Sequence, residues 1–105
     1  MRIVLSTCTS DRAAEIARAL VEEGEAACVN LAPVRSVYRW EGKVCLDEEV
    51  LMIIKVAAAR IDRLRERLRS LHPYTLPEIV VLSVDVEDSL AAYVQWVRDP
   101  SRGAG

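Results

Sequence analysis

The chain has 105 residues and a mass of 11.7 kDa, enough for one domain with one hydrophobic core. Hydrophobic residues make up 51% of the sequence, which excludes an intrinsically disordered protein. The formal net charge of −2 excludes the strongly basic surface by which nucleic-acid-binding proteins are recognised, so no nucleic-acid partner is expected.

Neither a membrane nor an oxidising compartment is indicated. The longest apolar run, Val50–Ile54, is too short to cross a bilayer, and the N-terminus turns polar at Ser6, unlike a signal peptide. The three cysteines are an odd number without C-x-x-C spacing, which argues against a disulfide framework and against a structural zinc site. These patterns predict a cytoplasmic protein with no membrane partner.

The chain opens with a predicted strand and helix. Arg2–Cys8 is a short apolar run typical of a strand. Ser10 or Asp11 can cap the helix that follows, because both side chains accept hydrogen bonds from free backbone N–H groups. Gly24 is expected to end this helix, since glycine readily adopts the left-handed conformation found there.

A long hairpin follows. The second strand starts at Ala26–Leu31, is interrupted around Pro33 and resumes at Ser36–Trp40. Proline cannot donate to a ladder, so an edge strand with a kink or bulge is predicted. Glu41-Gly42 indicates a tight turn, and the returning strand reaches the continuous apolar run Val50–Ile54, which is typical of a central strand.

The second half of the chain again contains apolar residues at helical spacing. A helix is predicted from about Ala59, and its apolar stripe lies opposite a solvated arginine face within 60–69, partly balanced by acidic residues. Ile79–Val84 is the fourth strand. Ser89 is expected to cap a last helix, and residues 99–105 form a predicted flexible tail after a single domain of residues 1–98.

This order, β-α-β-β-α-β with a C-terminal helix, predicts an α+β fold of the ferredoxin-like split βαβ type with an antiparallel sheet. Strands one and three are expected at the centre, and strands two and four at the edges. The fourth strand is too apolar for an edge open to water. We therefore expect either the last helix or, preferably, another subunit to cover it.

The topology predicts one candidate site. The end of strand one and the loop before strand four share one end of the sheet, which brings Cys8 towards His72, Tyr74 and Glu78. Thiolate and imidazole are ligands that suit copper or zinc, although a lone histidine is also commonly a hydrogen-bonded structural residue. Cys8 and His72 could imitate a catalytic thiol–imidazole pair, but no third group orients the base and no glycine-rich phosphate loop exists. A non-enzymatic protein without an organic cofactor is expected.

Four motifs occur in order along the chain: Leu20-Val21-Glu22 with Ala26–Asn30 (AACVN), the hairpin segment Ser36–Gly42 (SVYRWEG), the loop His72–Glu78 (HPYTLPE), and Tyr93 with Trp96 in the last helix. Together they resemble the CutA family, the divalent-cation tolerance proteins. The resemblance runs from about Val4 to Val97. It implies a protomer with the architecture of PII signalling proteins, a homotrimer, and binding of copper or other divalent cations in metal tolerance.

Two ligand positions of copper-binding members differ here. Ser6 stands where those members have a cysteine, and Leu71 where they have the first histidine of a pair, so His72 remains. We hypothesise that Cys8 replaces the missing thiol and that Glu78 supplies an oxygen ligand, giving a metal site of His72, Cys8 and Glu78. Glu25 also departs from the apolar residue usual in the family.

Two alternatives stay open at this stage. A PII-like signalling module would bind a small ligand between subunits, and the arginine-rich helix would favour an anionic one. An acylphosphatase-like enzyme on the same fold is set aside, because Thr7–Ser10 offers no glycine for an anion loop. Tyr38 and Trp40 either anchor a subunit interface or pack within the subunit.

Overall fold

The structure, a computed structural model, describes residues 1–100. Within them the chain forms four strands and three α-helices in an order that confirms the predicted fold class. In chain order these are β1 (Arg2–Cys8), α1 (Ser10–Glu22), β2 (Cys28–Trp40), β3 (Lys43–Val56), a 3-10 turn (Ala58–Arg60), α2 (Ile61–Leu71), β4 (Val80–Ser83) and α3 (Ala91–Arg98).

The sheet is antiparallel, with strand order β2-β3-β1-β4, so the predicted central and edge strands are confirmed. Side chains alternate across a strand, and every second residue of β1 faces the helices. Val4, Ser6 and Cys8 are therefore fully buried, as are Leu64 and Leu68 of α2. This layer is the main core; a smaller cluster around Met1, Ala27, Val94 and Val97 packs α3.

The β2–β3 hairpin extends well past the rest of the sheet. Its turn is at Glu41 and Gly42, whose φ angles of 50° and 78° match the predicted tight turn. β1 pairs with β3 only over Val50–Val56, so the outer part of β3 pairs with β2 alone. We call this outer part, residues 34–49, the hairpin arm.

The predicted interruption at Pro33 is wrong. Pro33 lies opposite Val50 in a register that continues without a skipped residue on either side. β2 is an edge strand, and alternate N–H groups of such a strand point away from its neighbour. A proline that occupies an outward-pointing position removes no ladder bond, so no bulge is needed.

Helix starts also differ from the predictions. α1 has Thr9 as its N-cap, and α3 has Leu90, in both cases without a side-chain capping bond. The Ser89 hydroxyl instead donates to the backbone carbonyl of Asp85 at 2.6 Å. The domain prediction ends in a tail whose residues 101–105 lie outside the described residues.

The arginine face of α2 is tied to its surroundings by ion pairs. Arg67 makes two hydrogen bonds with Glu23 of the first helix region, at 2.7 and 2.8 Å, and Arg63 lies 3.2 Å from Glu25. Arg65 pairs with Asp62 at 2.6 Å. Part of the predicted solvated face is thus a connection between α2 and the segment that ends α1.

Candidate binding cleft

An open cleft of about 680 Å³ lies where the hairpin arm meets the loop before β4. Apart from Val37, which alternates to the other face of β2, the residues that line it lie on the sheet face opposite the main helices or belong to that loop: Thr7, Ser36, Val37, Tyr38, Trp40, Glu49, Pro73, Tyr74, Thr75, Leu76 and Glu78. The lining combines aromatic rings, hydroxyl groups and two carboxylates. Such a mixture of apolar surface and a few polar groups is typical of a ligand site.

His72 connects this loop to the first strand. Its Nε2 donates to the carbonyl oxygen of Thr7 at 2.8 Å, and its Nδ1 accepts from the backbone N–H of Tyr74 at 3.1 Å. The His72 side chain is buried, and these two bonds require a neutral ring protonated on Nε2. Both ring nitrogens are therefore engaged in holding the loop.

Cys8 lies on the other side of the sheet from the cleft. It is fully buried within the main core, and this burial raises the pKa of its thiol. Adjacent residues of a strand point to opposite faces, so Thr7 reaches the cleft while Cys8 points towards the helices. A thiol in such a setting stays protonated and is a poor metal ligand.

The three predicted ligands are thus divided. Glu78 lines the cleft, His72 lies at the rim with both nitrogens bonded, and Cys8 is in the core. Across residues 1–100 there is no group of three or more His, Cys, Asp or Glu side chains placed to hold a metal. The rim itself is confirmed, since β1 and the loop before β4 meet as expected, but metal binding by this set stays a prediction.

Two tyrosines of the cleft are each hydrogen-bonded to a carboxylate, and sequence reasoning missed both acidic partners. The hydroxyl of Tyr74 donates to Glu49 Oε2 at 2.7 Å, and that of Tyr38 donates to Asp47. Hydrogen bonding to Asp47 is the main cause that raises the pKa of Tyr38 to about 12. Burial, followed by the bond to Glu49, raises the pKa of Tyr74 well above its usual value.

Register was the signal that could have found these partners. Asp47 lies opposite Ser36, which is two residues before Tyr38 on β2 and on the same face of the sheet. Glu49 is two residues after Asp47 on β3, so it shares this face. Tyr38 and Trp40 are 40% and 47% exposed, so within the described chain they line the cleft and are not core residues.

The order of strands and helices, with an extended hairpin and a cleft beside the loop before the last strand, is that of the PII-like ferredoxin-like fold. The chain belongs to the family of the CutA1 divalent ion tolerance protein, whose model matches residues 2–100. The predicted family is therefore confirmed. The chain is a divalent-cation tolerance protein of the CutA type.

Known relatives agree with this assignment. The chain is 44% identical to the "Divalent-cation tolerance protein CutA" of Thermus thermophilus, over 92% of this chain and 94% of that one. It is 47% identical to "Protein CutA" of Homo sapiens over 88% of this chain, but spans only 51% of the human protein. The solved "PII-like protein CutA from Nostoc sp. PCC 7120 in apo form" has a TM-score of 0.92 at 47% identity, covering 93% of this chain and 94% of that one.

Among residues 1–100, no helix is both long enough and apolar enough to cross a membrane.

Proposed function

We propose that the chain works as a cytoplasmic, non-enzymatic homotrimer that binds divalent cations in the response to metal ions. The single observation that supports the assembly is the exposed apolar edge formed by β4. This strand is an edge of the sheet, and its residues Val80, Val81 and Leu82 are 46%, 36% and 43% exposed. An apolar edge strand with free ladder groups favours pairing with another chain.

The hairpin arm supports the same conclusion. Val37 and Val44 are each 68% exposed and Leu46 is 62% exposed, on an arm that projects beyond the four-stranded sheet. Clustered exposed apolar residues mark interaction surfaces in soluble proteins. A homotrimer would cover the β4 edge and this apolar face of the arm, which by strand parity lies opposite the face of Tyr38 and Trp40, with surfaces of the same chain.

Oxygen donors of the cleft support cation binding better than the predicted thiol–imidazole set does. Copper in a site of His72, Cys8 and Glu78 does not fit this geometry, because His72 has no free ring nitrogen and Cys8 is in the core. Glu49 and Glu78 place carboxylates in one cleft with the Thr7 side chain. Such hard donors suit Mg²⁺, Ca²⁺ or Mn²⁺ more than copper.

Cys8 and His72 also support the absence of an enzymatic role. The Cys8 thiol has a raised pKa and lies in the core, so it lacks the thiolate character of a nucleophile. His72 is bonded to backbone groups of Thr7 and Tyr74, which leaves it without a nucleophile to activate.

The trimer is tested by light scattering on purified protein at micromolar concentration. The expected mass is three times the 11.7 kDa of one chain, about 35 kDa. Val81→Lys places a charge in the middle of β4 and should shift the mass towards that of one chain. A mass near 12 kDa for the unchanged protein would refute the assembly.

Metal binding is tested by calorimetric titration of Mn²⁺ and, separately, Cu²⁺. We expect Glu78→Gln to weaken Mn²⁺ binding about tenfold, since it removes one charged ligand, while Cys8→Ala leaves both titrations unchanged. Glu48→Gln is the matched control, because Glu48 alternates to the other sheet face from Glu49. Loss of Cu²⁺ binding in Cys8→Ala would restore the thiol-based site.

A second candidate is favoured by the cleft volume: a PII-like module that binds a small ligand. The anionic ligand expected from the arginine-rich helix has weaker support, because Arg63, Arg65 and Arg67 are already paired with carboxylates. A thermal-shift screen with nucleotides tests the anionic form directly, and a stabilising nucleotide would favour it.

A further inference from the structure

We propose that the cleft binds a small organic cation, an amine held between aromatic rings and a carboxylate. This inference rests on the second candidate function, the small-ligand module, and names the chemical class of its ligand. It does not involve the arginine face of α2, and it places the amine in the cleft that also holds the carboxylates of the proposed metal site.

The aromatic part of the cleft is exposed and ready to contact a ligand. Trp40 and Tyr38 lie two residues apart on β2, so both rings stand on the same face of the arm. Tyr74 faces the cleft from the loop before β4. A cation within reach of such rings is attracted by their negative faces, most strongly by tryptophan.

The charge of the cleft has one sign. Glu49 and Glu78 line it, and among the residues 1–100 that the structure describes no lysine or arginine does. Arg35 and Arg39 alternate with Ser36 and Tyr38 along β2, so they point to the opposite face of the arm. Lys43 lies opposite Trp40 at the tip of the arm and does not line the cleft.

The hydrogen bonds of Glu49 leave an acceptor for a ligand. Tyr74 donates to Oε2 of Glu49, and Oε1 has no such bond to the phenol. The bond of Tyr74 fixes the carboxylate in place. An ammonium group that reaches Oε1 gains a charge-assisted hydrogen bond in addition to its contact with the rings.

The test holds the aromatic ring of the probe constant and changes its charge. Benzylamine, benzyl alcohol and benzoate are each titrated calorimetrically into the unchanged protein at neutral pH. We expect benzylamine to bind about tenfold more tightly than benzyl alcohol, because only the amine adds the cation–π and ionic contacts. Benzoate should not bind, since its carboxylate meets two others.

Two variants locate the binding, with Glu48→Gln as the matched control. Glu49→Gln and Trp40→Leu should each weaken benzylamine binding about fivefold or more, while Glu48→Gln leaves it unchanged. The mass of every variant is measured in parallel, so a loss of assembly is distinguished from a loss of the ligand site.

Equal affinities for benzylamine and benzyl alcohol would overturn the proposal, because charge would then play no part. Tighter binding of benzoate would overturn it in favour of an anion site. Displacement of Mn²⁺ by benzylamine would place both cations in one cleft, whereas undiminished benzylamine binding in Glu49→Gln and Trp40→Leu would place the amine elsewhere and refute the site.

Discussion

Nε2 of His72 lies 2.8 Å from the carbonyl oxygen of Thr7, although the two residues are 65 positions apart in the chain. The bond fastens the loop before β4 to the exit of β1. Because the Nδ1 of the same ring accepts the N–H of Tyr74, one side chain fixes both the loop and the backbone of a cleft residue.

Replacing His72 with phenylalanine should lower the free energy of unfolding by about 2 kcal/mol, because two partly buried backbone groups lose their hydrogen-bond partners while the ring volume is nearly kept. Urea unfolding at a fixed protein concentration measures it. Leu76→Ala in the same loop is the control, since Leu76 is 71% exposed and should cost less than about 0.5 kcal/mol. Equal effects of the two changes would contradict the anchoring role.

The thiol of Cys8 should be protected from reagents in the folded protein. Its side chain is fully buried and its pKa is raised, whereas Cys28 and Cys45 are partly exposed. Thiol counting with an aromatic disulfide reagent should give the same native value for the unchanged protein and for Cys8→Ala. In denaturant the variant should lose one thiol. A native thiol lost in Cys8→Ala would show that Cys8 is accessible.

Glu25 should limit stability. It is 8% exposed, its partner Arg63 lies 3.2 Å away and largely in solvent, and its Oε2 has no hydrogen-bond partner among the residues that the structure describes. Replacing it with leucine removes a buried charge and is expected to raise the free energy of unfolding by about 1 kcal/mol. Arg63→Met leaves the carboxylate of Glu25 without its cation and should lower the free energy of unfolding. Chemical denaturation of both variants measures whether the two changes in the free energy of unfolding have opposite signs.

Tyrosine titration should make the protein sensitive to high pH. Tyr38 has a pKa raised to about 12 when folded, against about 10 in an unfolded chain. The unfolded state therefore releases this proton first, so stability is full below about pH 10 and falls as pH rises to about 12.

Asp47→Asn tests the cause. Without the anionic acceptor, the pKa of Tyr38 should return towards its usual value, which the ultraviolet absorbance of tyrosinate reports. Tyr38→Phe identifies the absorbance step that belongs to this residue. If Asp47→Asn leaves the titration of the folded protein unchanged, the hydrogen bond is not what holds the proton.

The fold was predictable because separate parts of the sequence agreed. The continuous apolar run Val50–Ile54 requires cover on both faces and is found in a central strand, and Pro33 is found on an edge. The error at Pro33 has a local origin. The sequence shows that Pro33 cannot donate a hydrogen bond to a neighbouring strand. Only the strand register shows whether the missing N–H would have pointed away from that strand.

The sequence predicts which end of the sheet holds the candidate site, but not which side chains line it. Topology alone brings Cys8, His72 and Glu78 to one end of the sheet, and it does so correctly. The face to which each side chain points depends on strand parity, and parity puts Cys8 on the helix side while Thr7 lines the cleft. Glu49 carried no motif, so its bond to Tyr74 could not be found from the sequence pattern.

The hairpin arm has a consequence for dynamics. Its rungs from Val34 opposite Glu49 to Trp40 opposite Lys43 join two strands that have no third neighbour within the described chain. Local opening of these rungs leaves the rest of the sheet intact, so their amides should exchange with solvent faster than those of β1. One wall of the cleft thus lies on the least protected part of the sheet, and an occupant would show itself as slowed amide exchange there.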